Sequence, residues 1–149
     1  MVRKLKEAVK GEDEFIEKCE EYGEEVGIVD SIDLEFDDTL DVSAKTINKR
    51  VYLNGKLLDS PWEDQMRYVI HEFTHVLQQK NGKVTEESQS KEYLDDENEI
   101  EAFQAQLSFM SDYDDEEEIQ EYLENLLDHH NITGVEREEK KEELLEEVK

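Results

Sequence analysis

The chain is 149 residues long, with 43 Asp and Glu against 17 Lys and Arg and a formal net charge of −26. Its one cysteine, Cys19, allows neither an internal disulfide nor a cysteine-based zinc knuckle, and no window nears the ~20 apolar residues of a bilayer span. So acidic a chain does not hold nucleic acid by neutralising phosphates, and neither nucleic acid nor a membrane is an expected partner.

The length suits one domain with a small addition, and it is enough to bury a core without disulfide staples. Charge is uneven along it: residues 1–83 hold 19 acids and 12 bases, residues 84–149 hold 24 and 5. The expected organisation is an α+β domain over 1–111, N-terminal helix included, with an acidic helical extension over 112–149 packed on the same domain. The basic start, residues 1–10, is followed by no apolar run, so the sequence predicts no secretory signal and a cytoplasmic location.

In chain order, Phe15, Ile16, Cys19, Tyr22 and Val26 fall at helical spacing and predict an amphipathic helix over 12–26, loosened by Gly23 and Gly27. Ile32, Leu34 and Phe36 alternate with Asp33 and Glu35, the pattern of a half-buried strand. Weaker alternation marks 42–47, and Arg50–Leu53 is a further strand closed by the turn pair Asn54-Gly55. Ser60 as N-cap, Pro61 in the first helical position and Glu63 completing a capping box open the best-bounded helix. Its stripe is Trp62, Met66, Val69, Ile70, Phe73, Val76 and Leu77, and Asn81-Gly82 stops it.

A polar loop is expected over 83–94. Asp95 or Asp96 then caps a helix running to about Met110 with Ile100, Ala102, Phe103, Leu107 and Met110 as its apolar set and Gln106 partly included. Ile119, Tyr122, Leu123, Leu126 and Leu127 form the next helix, ending near His129-His130, and it is expected to dock on the back of the preceding one. The charged segment 135–148 has too few apolar residues to fold alone and is expected to fray unless something covers it.

Within the well-capped helix stands His71-Glu72-Phe73-Thr74-His75. Residues four apart project from one helix face, so both imidazoles reach one tetrahedral ion. Glu72 is rotated about 100° from His71. It therefore sits beside the ion, where a carboxylate can hold and deprotonate a zinc-activated water. With no thiolate to spare, a third ligand must be a carboxylate, a further histidine or water. Glu99, Glu101 and Glu97 are the downstream carboxylates, and Glu99 and Glu101 cannot both face the ion from one helix.

A short α+β unit, the HExxH helix, and a later helix bearing Asn98-Glu99-Ile100-Glu101-Ala102 resemble the gluzincin branch of zinc metallopeptidases over roughly residues 30–110, most of all its minimal members. The resemblance implies a zincin-like small sheet followed by active-site and glutamate helices. It implies Zn²⁺ on His71, His75 and Glu99, with Glu72 as general base in the hydrolysis of a peptide or protein substrate. The family often has Asp where Phe103 stands, as partner to a ligand histidine. It also implies an edge strand that aligns an extended substrate, here 42–47 or 50–53.

Two other readings compete: a latent or inactive zinc protein, and an acidic interaction or inhibitor protein whose charge is the function. Tyr93, Tyr113 and Tyr122 are candidate oxyanion donors, each with a simple packing role as the alternative. His129-His130 suit the negative end of a helix dipole, Cys19 suits a core, and Asp112–Glu118 suits a solvated helix cap rather than a calcium loop.

Overall fold

Apolar residues three and four apart fold the N-terminus into two short helices, α1 (Val2–Lys10) and α2 (Asp13–Glu21). The computed structural model describes residues 1–83 and 94–146. Helix α1 is not among the expected elements: residues 1–10 stand out only as a basic start, although Val2, Leu5 and Val9 fall on one helical face. Leu5 and Val9 are fully buried, packed against the core. Helix α2 is shorter than the 12–26 expectation. Gly23 takes φ 69° and breaks it, and a 3₁₀ turn over Val26–Ser31 carries Val29 inward instead.

Three strands follow, β1 (Asp33–Asp37), β2 (Ala44–Ile47) and β3 (Arg50–Asn54), in the spatial order β1-β3-β2. β3 is parallel to β1 and antiparallel to β2. Asn48 and Lys49, both at positive φ, make the two-residue turn joining β2 to β3. The pair Asn54-Gly55 makes no hairpin. Asn54 caps a 3₁₀ turn (Gly55–Asp59) by accepting from the Lys56 amide at 3.0 Å, and its Nδ2 donates to the Leu40 and Val42 carbonyls.

The long helix α3 (Trp62–Lys80) begins one residue later than its capping signals predict: Pro61, not Ser60, is the N-cap, and no side chain caps it. Proline sits there at ψ 151°, an extended conformation, and its carbonyl takes the Asp64 amide at 3.0 Å. Asn81 and Gly82, the latter at φ 79°, end the helix as expected. One side of α3 faces the sheet and the other meets α4 (Glu97–Tyr113), capped by Asp96, whose carboxylate accepts from the Asn98 amide at 2.8 Å. Leu34, Val51, Leu53, Val69, Ile70, Phe73 and Leu107 fill the space between.

Helix α5 (Glu116–His129), capped by Asp115, packs on α4 through Ile119, Leu123 and Leu127. Helix α6 (Gly134–Leu145) does not fray. Leu144 is buried against α4, Gln104 Nε2 donates to the Glu143 carbonyl at 2.9 Å, and Lys140 Nζ donates to the Leu94 carbonyl at 2.9 Å. Arg137 and Lys141 tie it to Glu124 of α5. Few apolar residues suffice because polar anchors supply the docking. The expected loop 83–94, with Tyr93, lies almost wholly outside the described residues. Among the described residues no helix is long and apolar enough to cross a membrane.

Because α1 is held by two fully buried side chains, Leu5→Ala is expected to cost about 2–5 kcal/mol of stability. Urea unfolding of the two proteins checks this, and an unchanged midpoint would mean that α1 is not part of the core.

Candidate metal centre

His71 and His75 lie one turn apart on the α3 face turned toward α4, and Glu99 rises from the first turn of α4 to meet them. One carboxylate oxygen, Glu99 Oε1, lies 3.0 Å from His75 Nε2 and 3.3 Å from His71 Nε2. Ligand atoms of the three residues all lie within 4.8 Å of one another. None of the three is more than 4 % exposed. The other oxygen, Glu99 Oε2, is buried with no hydrogen-bond partner. A buried carboxylate oxygen left unpaired is costly, and a cation among these donors would satisfy it. Two imidazole nitrogens and a carboxylate are the donor set of a three-ligand zinc site with an open position.

The electrostatics of the ion-free cluster follow from the same contacts. Burial works to lower the His75 pKa, but the Glu99 hydrogen bond and the charges of Glu72 and Glu99 outweigh it and raise it to about 9. Burial works to raise the Glu99 carboxyl, and the two histidines overcome it and hold it at about 2. A proton on His75 thus stands where a metal's charge would stand.

Glu101 is turned elsewhere. It accepts from Gln78 Nε2 at 2.8 Å, from Lys18 Nζ at 3.3 Å and from the Tyr22 hydroxyl. Glu97 is exposed. Of the three downstream carboxylates, only Glu99 joins the histidines. Glu72 is 3 % exposed and lies to one side. Its Oε1 accepts from the Thr46 hydroxyl at 2.8 Å, and its Oε2 is 3.9 Å from His71 Nε2. Thr46 belongs to β2, so the sheet and the motif helix are joined at this residue.

Behind the rings stand two glutamines. Gln78 Oε1 is 2.7 Å from His75 Nδ1, and Gln106 Oε1 is 3.0 Å from His71 Nδ1. Phe103, where the gluzincin pattern has Asp, instead packs edge-on against the His71 ring with centroids 4.5 Å apart. Sequence reading missed Thr46 and Gln78 and gave Gln106 to the apolar stripe. Spacing held a signal: Gln78 follows His75 by three residues, and Gln106 follows Glu99 by two helical turns.

His71 and Glu72 open onto a cleft of about 760 Å³. Val42, Ser43 and Ala44 at the start of β2 line one side; Phe103, Tyr122 and Leu126 line the other. Helix α5 therefore packs on α4, as expected, and also walls the cleft. No described residue of α6 lines it.

β2 is an edge strand, whereas β3 is central and offers no free edge. Tyr122 has the Arg67 guanidinium 5.9 Å from its ring centre. Burial pushes its hydroxyl pKa up, so the group stays a donor. Tyr113 is remote, donating to Glu12 Oε1 at 3.0 Å and packing on Trp62 and Phe109. His129 and His130 do end α5, and both also border the cleft. Cys19 is a core thiol, its pKa pushed by burial up to about 11. Asp115 caps α5, and Asp114 pairs with Arg67 at 2.9 Å. No protein-family model, curated protein or solved structure matches the chain.

A metal ion held by this group would have to displace the His75 proton, so its binding is expected to release protons at neutral pH. Affinity should rise with pH up to about 9, the His75 value, and level off above it. Calorimetry in buffers of different ionisation enthalpy checks this, and heats that do not depend on the buffer would refute the coupling.

Proposed function

We propose that the chain is a zinc-dependent metallopeptidase with a minimal zincin-like arrangement. The observation that carries the reading is the convergence of His71, His75 and Glu99 on one buried point, with His71 and the Glu72 carboxylate bordering the cleft. Zinc held by these three residues would act as a Lewis acid on a peptide carbonyl and on water.

The chain's own groups do the rest. Thr46 holds one oxygen of Glu72, which fixes the direction of the other. Glu72 accepts a proton from the attacking water as the new C–O bond forms. It then delivers that proton to the amine nitrogen as the C–N bond breaks. An extended substrate lies along the edge of β2 by backbone hydrogen bonds, which brings its carbonyl over Glu72. The Tyr122 hydroxyl, kept protonated, is placed on the cleft wall to donate to a developing oxyanion.

Glu72→Gln keeps the shape and the Thr46 contact but cannot take a proton. Cleavage of an unfolded protein substrate is expected to fall by about 10²–10⁴-fold, with zinc content by elemental analysis unchanged. Equal cleavage by both proteins would remove Glu72 from its role. A wild-type chain that binds zinc and cleaves nothing would favour the latent alternative.

A further inference from the structure

We infer that Gln78 and Gln106 are positioning residues of the metal centre: their amides fix both imidazoles with a proton on Nδ1 and the Nε2 lone pair toward the ion, and Glu101 is the anchor that orients Gln78. The inference rests on the zinc reading above and concerns how the chain holds its ligands.

A glutamine amide has one acceptor end and one donor end, so whatever fixes the donor end also fixes the acceptor. Gln78 Nε2 donates to the Asn98 carbonyl at 2.9 Å and to Glu101 Oε1 at 2.8 Å. Both its N–H groups are thereby used, and Oε1 is left to face His75 Nδ1 at 2.7 Å. Only an Nδ1–H can satisfy that contact, which makes Nε2 the ligand atom. Glu101 is itself held from α2, by the Tyr22 hydroxyl and Lys18 Nζ. The chain of contacts therefore runs from α2 through α4 to a metal ligand on α3.

Gln106 repeats the logic on the other ring. Its Nε2 donates to Met110 Sδ at 3.8 Å, and its Oε1 faces His71 Nδ1 at 3.0 Å. Both glutamines are almost fully buried, at 0 % and 1 % exposure, so water does not compete for these bonds.

The choice of amide carries a physical consequence. A carboxylate behind a ligand histidine raises the basicity of the ring and strengthens its hold on metal. This chain has 43 acids, yet a neutral group stands behind each ring. Glu99 and Glu72 already place two carboxylates at the site, and further buried negative charge there would be costly. The glutamines orient the rings without adding to it.

The test is zinc affinity by chelator competition, with the ring tautomers read by long-range ¹H–¹⁵N NMR of the zinc-loaded chain. Gln106→Met and Gln78→Met keep the volume and remove the acceptor. Each is expected to weaken zinc about 10- to 100-fold while circular dichroism of the metal-free chain shows the helical fold retained. Gln106→Glu keeps an acceptor for His71 Nδ1–H and adds charge, so its zinc affinity should equal or exceed wild type.

A packing role predicts the reverse order, with Met harmless and Glu harmful. That order would overturn the inference, as would Nδ1 ligation in the spectra. If wild type takes up no zinc, the function proposed above falls with it. If wild type and both Met variants bind zinc equally, only the positioning role falls.

Discussion

Glu99 enters the core with no exposed surface and meets His71 and His75 across the interface of α3 and α4. A lone buried carboxylate would cost several kcal/mol, so this contact constrains how the two helices can sit. Glu99 must face α3, which places Ala102, Phe103 and Gln106 on the same side of α4. Phe103 then packs edge-on against the His71 ring, and Gln106 reaches its far nitrogen. The same interface thus serves as the hydrophobic core and as the polar cluster inside it.

The surroundings divide the labour. The sheet contributes through β2, which supplies Thr46 to Glu72 and leaves an edge open at the cleft. Helix α5 supplies the opposite wall and places Tyr122 near the motif helix. Helices α2 and α6 brace α4 from outside, the first through Lys18 and Tyr22 on Glu101, the second through Leu144 and the Gln104–Glu143 bond. The acidic extension is therefore structural: Arg137, Lys140 and Lys141 use nearby carboxylates as docking points. The three basic groups are largely buried while their carboxylates stay exposed, so each pair alone is modest and the set acts together with buried Leu144.

Acid crowding has a cost elsewhere. Glu12, Glu14 and Asp112 come within 4.8 Å where α2 meets the end of α4. Burial first, and then the hydrogen bond with Asp112, raise the Glu14 carboxyl to about 7. A proton shared there relieves the repulsion of like charges.

Local chemistry made α3 legible from sequence: its stripe, its Asn81-Gly82 stop and the four-residue spacing of His71 and His75 are all written within one segment. The strands and the caps of α4 and α5 were legible for the same reason. Helix α1 was equally legible, since Val2, Leu5 and Val9 share one helical face, but basic charge is the more prominent signal of that segment. The sequence by itself determined that two imidazoles would share one face with Glu72 beside them. It left Glu99, Glu101 and Glu97 open, because spacing says which residues share a face and not which face meets another helix. Only tertiary structure decided that Glu99 joins the histidines while Glu101 serves Gln78, that β2 is the edge beside the cleft, and that α5 walls it. Those outcomes depend on contacts between residues far apart in the chain, settled by how apolar faces pack and by the need to pair each polar group buried with them.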